Sequence, residues 1–468
     1  MFSKLFSGLT RRRDAPQLDS PVAPPVLPIP AETAADPIPA ANPAVDSAAT
    51  PDPVLVHREV LDSTMGICGI EFMIRGELRN RIATKRATLR RFIDSMLIDQ
   101  LGSLRYRPDP RRPSWIQLGE ASLLRLGTGK LPTHCCVLLQ TEEYGTAASA
   151  DIRDLVGALR DAGHEVWLDD ALATPWFESL ATTASGAILR MAARTPFEAG
   201  ELLKATRERY PQLPLGAWDL TTPDDCELAR RLDCCRFSGS FVTHREDWSG
   251  NTLSPQAMTV ATLINQVRED VNFRAVANAL KRDMALSYRM LRYVNVASHG
   301  LAKPVSSIEQ GLVILGQEQL DRWLTLLLLA GGTLNNAAIT EIALTRARFL
   351  ELAGAQRLPP EQCERLFILG LFSMLDVALK VPLATAIRPL NLAMPMAVAL
   401  LSRGGPLGPY LALADACENG TAEEICRHAL ALGLTTSKVS ARQMEAVAWV
   451  ADITAQADPN EVHHAYKR

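Results

Sequence analysis

The residues that could ligate a metal or act as nucleophiles are few and scattered. Histidines stand at His57, His134, His164, His244, His299, His428, His463 and His464. An imidazole-based metal centre needs several of them to converge. Only His299 and His428 fall in the helical second half. One imidazole in the loop Ser298-His299-Gly300 cannot build such a site, and it reads as structural. The nine cysteines include no C-x-x-C pair. Adjacent pairs such as Cys135-Cys136 suit neither a zinc site nor a disulfide, and their apolar neighbours fit buried thiols in a reducing cytoplasm. Arg289, Arg292, Arg346 and Arg348 read as solvated helix faces. A net charge of -3 gives no global field for nucleic acid, and no helix-turn-helix pattern promotes those arginines to DNA contacts. No metal, no cofactor and no direct nucleic-acid binding are expected.

The elements that would position a site follow from pattern. The chain has 468 residues, 47% of them hydrophobic and 22% charged, which suits two or three soluble domains. Residues 1–14 place Phe2, Leu5, Phe6 and Leu9 on one face ahead of Arg11-Arg12-Arg13, a pattern with the elements of a weak peripheral membrane contact. Pro, Ala, Asp and Thr dominate 15–52, so residues 1–52 form a disordered segment and linker in this reading. No apolar run is long enough for a membrane span, and no secretory signal is read, which places the protein in the cytoplasm.

From 53 to 248, short apolar runs alternate with helical segments. The strands expected are Leu55–Glu59, Ile67–Ile74, Trp115–Leu118, Cys136–Gln140, Glu165–Leu168, Ala187–Met191, Leu215–Leu220 and Cys235–Phe237. Such alternation implies parallel pairing and a small β/α barrel. From 249 to 457 everything reads as short packed helices, followed by a polar tail over 458–468. Ser254-Pro255 is an N-terminal cap, and Leu286, Met290 and Val294 share a face. Ser306 to Glu309 and Ser440 to Gln443 read as capping boxes, and Gly316 as a helix stop.

The helical half resembles the HDOD family, helical output domains related to HD phosphohydrolases. The match is carried by the segment from Asp283 through Leu286 to Asn295 and Ala297, by Pro304-Val-Ser-Ser307-Ile308, by Gln310 to Leu315-Gly316, and by Arg322-Trp323-Leu324. The resemblance implies that the spaced histidines and His-Asp pair of the HD enzymes are lost; none of the eight histidines precedes an aspartate. It also implies signalling through protein contacts.

The first half resembles a degenerate EAL domain, the barrel of cyclic-di-GMP phosphodiesterases. Glu71 and Arg75 in Gly69-Ile-Glu71-Phe-Met-Ile-Arg75 stand for the naming signature, and Asp169-Asp170 for the family's aspartate pair. Other family positions fall on Gln117, Leu139 or Gln140, Leu189-Arg190-Met191, near Thr221 and near Ser238. Two close divalent cations need several carboxylates to offset their charge. Glu71, Asp169 and Asp170 are too few, and Arg190 adds a positive charge. The expectation is a non-catalytic signalling protein: an α/β, degenerate EAL-like barrel followed by an all-helical HDOD domain, with unidentified protein partners. The alternatives are a cyclic-di-GMP receptor, with Arg75 on a phosphate, or an atypical metal-dependent phosphodiesterase. Structural readings of the same residues stay open too: a Glu71–Arg75 pair inside the barrel, or Asp169-Asp170 as a loop cap.

Overall fold

Ser63 to Gly66 is too short for anything but a hairpin, and this decides how the barrel begins. Asp62 sets the turn, its Oδ1 accepting from the main-chain N–H groups of Thr64 at 2.8 Å and Gly66 at 3.1 Å. In this computed structural model the described residues are 53–75, 86–103, 112–141, 143–268, 273–282, 284–297, 305, 307–330 and 336–455. The readings made for 1–52, Asp283, His299, Ser306 and the tail from 458 lie outside them.

The strands are β1 Val54–Asp62, β2 Ile67–Arg75, β3 Ser114–Gly119, β4 Cys135–Gln140, β5 Glu165–Asp169, β6 Gly186–Arg190, β7 Leu215–Leu220 and β8 Arg236–Gly239. They close a barrel in sequence order. Strands β2 to β8 pair in parallel, each separated from the next by a helical crossover. The all-parallel expectation fails at β1, which runs antiparallel to both β2 and β8 because the hairpin reverses the chain.

Strands buried on both faces read as near-continuous apolar runs, which is why β4 reads CCVLLQ. Alternate side chains fill the lower interior: Val60, Trp115, Cys136, Leu138, Trp167, Ile188 and Trp218. Trp115 lies 5.2 Å from Trp167 and 5.1 Å from Trp218, centroid to centroid. Such an interior is a packed plug, so chemistry is confined to the rim.

Helices follow from Pro255 onward. Ser254 caps the first as expected, accepting from the Ala257 N–H at 3.2 Å. Leu286 lies buried in helix Met284–Ala297, which also carries Asn295. Tyr293 of that helix stacks on Trp323 at 6.1 Å. The helix Ile308–Leu329 starts one residue later than the capping-box reading places it: Ser307 is the cap, bonding the Gln310 N–H. Ile308, Leu315 and Trp323 are buried along it. Gly316, at φ 68°, has a non-helical backbone that divides this span into two helices, so the first helix stops there as expected.

Ser440 is a second displaced signal. Thr435 caps the last helix, Thr436–Ala455, so Ser440 sits a turn inside it. Its hydroxyl instead accepts from the Leu55 N–H of β1 at 3.1 Å. Further ties join the two halves. Arg112 forks onto Glu341 at 2.6 and 3.2 Å, and Arg245 reaches Asp376 at 2.6 Å. Among the described residues no single helix is long and apolar enough to cross a membrane.

Helices Asn336–Gly354 and Pro360–Phe372 approach each other closely at Gly370. A Cβ there would lie 2.5 Å from the Cα of Ala347 and 2.8 Å from its N. Backbone atoms cannot move aside as a side-chain tip can. Gly370→Ala should therefore cost about 1–3 kcal/mol, read as a lower urea midpoint at unchanged slope.

Candidate binding site at the barrel mouth

Parallel strands deliver their last residues to one rim. Here that rim is ionic. Asp169, closing β5, is 0% exposed. Its Oδ2 accepts from Gln117 Nε2 of β3 at 2.9 Å and from the side-chain amide of Gln140 at the end of β4. Arg190, closing β6, binds Asp169 with a fork: Nε to Oδ1 at 2.9 Å and Nη2 to Oδ2 at 2.8 Å. Its third nitrogen, Nη1, reaches Asp219 Oδ2 at 2.7 Å. Asp219 Oδ1 in turn accepts from Arg58 Nη1 of β1 at 3.1 Å. Asp170 stands beside this chain, accepting from Arg194 Nη1 at 2.6 Å and from the Arg190 main-chain N–H at 3.0 Å.

Glu71 is 4% exposed. One carboxylate oxygen accepts from the indole N–H of Trp218 and from the Ser238 hydroxyl, each at 3.1 Å. Burial raises its pKa, opposed by the charges of Arg58 and Arg190. For Asp219 burial acts upward too, but Arg190 and Arg58 outweigh it and hold the carboxyl below its ordinary value. Arg190 is raised on balance: desolvation works against its charge, and the attraction of Asp169 and Asp219 exceeds it.

Of the four residues picked for the barrel site, the structure thus brings Glu71, Asp169 and Asp170 to the mouth, and Arg75 elsewhere. The Arg75 guanidinium donates to the main-chain carbonyls of Ala416 at 3.4 Å, Glu418 at 2.6 Å and Gly420. Those carbonyls lie at the C-terminal end of helix Gly408–Asn419, where Ala416 also accepts from the capping Gly420 N–H at 2.8 Å. The guanidinium meets a helix C-terminus in place of the expected phosphate or Glu71. Arg58 and Asp219 were missed. Alternation along β7 turns Trp218 inward and Asp219 outward. The register shifts between Ala217 and Leu220, and Asp219 adopts φ 57°, which swings its carboxylate to the rim.

Beside the mouth a cavity of about 60 Å³ separates the barrel from the helices, lined among others by His57, Glu59, Arg346, Glu418 and Gln443. It has room for water and none for a nucleotide. Neither Arg346 nor Arg348 belongs to a solvated face. Both are buried; Arg348 lies over the Trp449 ring at 5.5 Å.

The resemblance to phosphodiesterases implies a pair of divalent cations at this rim. The residues as arranged do not fit one. Both oxygens of Asp169 and of Asp219, and Oδ1 of Asp170, are engaged by guanidinium and amide groups. Among the described residues no three His, Cys, Asp or Glu side chains converge on a metal-sized space.

Comparison with known proteins adds four findings. Residues 252–375 match the HDOD domain family. The chain is 26% identical over 413 residues to the cyclic di-GMP phosphodiesterase CdgJ of Vibrio cholerae, covering 85% of this chain and 92% of that one. It is also 29% identical over 170 residues to the uncharacterized protein YuxH of Bacillus subtilis, 35% of this chain and 41% of that one. Among solved structures, an EAL domain protein from Listeria monocytogenes matches 40% of this chain and 86% of its own at 15% identity, with a TM-score of 0.30. The expectation of a protein without enzymatic activity is overturned by the likeness to CdgJ, which spans nearly the whole of a protein named as a phosphodiesterase. With residues 252–375 matching that family, a helical region of HDOD type follows an eight-stranded β/α barrel.

Proposed function

We propose that this protein acts on cyclic-di-GMP, as a phosphodiesterase-type signalling protein whose barrel mouth takes the dinucleotide and whose HDOD helices pass the state of the mouth to protein partners. The observation that carries the reading is the gathering of Arg58, Arg190 and Arg194 where the parallel strands end. Guanidinium forks match phosphate oxygens in geometry and charge, and a cyclic dinucleotide offers two phosphates. Arg58 is held by one 3.1 Å bond to Asp219 and can exchange that carboxylate for a phosphate. The likeness to CdgJ over 85% of the chain supports the choice of ligand. The HDOD part suits a relay because Arg75, Arg112 and Arg245 fix it directly to the barrel.

The test is calorimetry with cyclic-di-GMP on the full chain, with product analysis in Mg²⁺ or Mn²⁺. Binding is the expected result, with slow formation of a linear dinucleotide at most, because Arg190 holds the carboxylates a cation would need. Arg58→Gln should weaken binding by about tenfold or more, the worth of one charge-assisted hydrogen bond. Neither heat nor product from the wild type would end this reading.

A further inference from the structure

We infer that Arg190 is the resident cation of the barrel mouth, seated where a divalent ion would have to bind and excluding it for as long as it stays. The working role of the mouth is taken from the preceding reading; the exclusion stands on geometry. Asp169 is fully buried, and a buried carboxylate needs a counter-charge. Arg190 supplies it on both oxygens, at 2.9 and 2.8 Å, while a third nitrogen holds Asp219 at 2.7 Å. One guanidinium therefore bridges the two aspartates. A divalent ion would need the same oxygens and would meet a positive charge within a few ångströms.

The rest of the setting favours a cation once the guanidinium is gone. The amides of Gln117 and Gln140 are directed at Asp169 through their N–H₂ ends. Rotated about their last torsion, they would present carbonyl oxygens, which are hard ligands of the kind Mn²⁺ and Mg²⁺ accept. Asp170 and Glu71 stand on the neighbouring positions of the rim. The side chain of Arg190 is only partly covered, with 21% of it exposed, so it has a path out to solvent. The disagreement between a phosphodiesterase-like chain and a mouth without a metal-binding set is thus placed on one side chain.

Mn²⁺ binding to the full chain tests this, read by calorimetry and by the Mn²⁺-induced shift in thermal midpoint. The wild type should show weak binding or none. Arg190→Gln should bind Mn²⁺ at least tenfold more tightly, with a midpoint raised by several degrees on adding the ion, and the double variant with Asp219→Asn should lose both effects. Arg190→Lys keeps a charge between the aspartates and should bind Mn²⁺ no better than the wild type. If Arg190→Gln is unfolded without metal, Mn²⁺ should restore its circular dichroism. Equal affinity in wild type and Arg190→Gln, or no gain and no rescue in the variant, overturns the inference. Cyclic-di-GMP turnover is measured separately on the same proteins. Its absence from all of them would remove the phosphodiesterase-type reading and leave the Mn²⁺ result standing.

Discussion

Replacing Arg346 by methionine is expected to cost about 3–5 kcal/mol of stability, the usual loss when one partner of a buried ion pair is removed. Only 2% of the Arg346 side chain is exposed. It donates from Nε to Glu418 at 2.7 Å, from Nη1 to Ser373 Oγ at 2.9 Å, and from Nη2 to Asp415 at 2.8 Å and Glu418 at 2.6 Å. Helix Asn336–Gly354 is thereby tied to helix Gly408–Asn419 and to the end of helix Pro360–Phe372. The attraction of Glu418 and Asp415 raises the Arg346 pKa even though burial works the other way. Methionine fills much of the volume and leaves two carboxylates behind. Arg403 still holds Asp415 at 2.7 Å, and both acids are partly exposed, so the lower end of the range is the better expectation. The effect should reach the barrel, because the main-chain carbonyl of Glu418 accepts from Arg75. Urea unfolding reads the loss. Arg346→Lys, with a point charge and no fork, should fall between. A methionine variant within 1 kcal/mol of the wild type would show that this hub is not what joins the helices.

The second expectation concerns pH. Burial lifts the Glu59 carboxyl from 4.5 to about 7, helped by Glu418 and Glu341 and opposed by Arg58. Burial lowers His57 from 6.5 to about 4, with Glu418 pulling the other way. The two side chains point the same way along β1, His57 Nε2 lying 3.8 Å from Glu59 Oε1, with 13% and 17% of their side chains exposed. Glu59 contributes stability that is complete below pH 4.5 and is lost as pH rises through 7. His57 contributes stability that is complete above pH 6.5 and is lost as pH falls through 4. Between 4.5 and 6.5 the folded chain holds one proton on Glu59 and the unfolded chain holds one on His57. Their slopes cancel there. Glu59→Gln removes one slope and exposes the other. The stability of that variant relative to the wild type should rise by about 2–3 kcal/mol from pH 4.5 to 7. Urea midpoints of both proteins at pH 4.5, 5.5 and 7 check this; a constant difference would mean that Glu59 titrates normally.

The strands were legible because their burial on both faces leaves apolar runs that polar linkers interrupt. Leu215–Leu220 coincides with β7, and the other seven strands agree to within a few residues at each end. The direction of β1 was also written in the chain, in the four residues from Ser63 to Gly66, but alternation of strand and helix drew attention away from it. Asp219 was hidden for a different reason. A side chain that changes face at a register shift breaks the period-two rule by which it would have been found. Arg75 and Ser440 show a third kind of failure. Each carries a recognisable local signal, and each is recruited by the other half of the molecule, to a helix end and a strand edge that sequence spacing does not bring together. Arg346 was misread for the same reason: arginines close together on a helix look solvated until other helices cover them.

The reversed first strand has a consequence for how this protein can be observed. Val54 lies opposite Arg75, so the polypeptide enters the fold at the rim where Asp169 and Arg190 meet. In a barrel whose first strand ran with the others, it would enter at the opposite floor. A fluorophore attached at Pro53 would therefore sit within reach of both the mouth and the end of helix Gly408–Asn419. Its emission would follow arrival of a ligand and separation of the two halves from one vantage point.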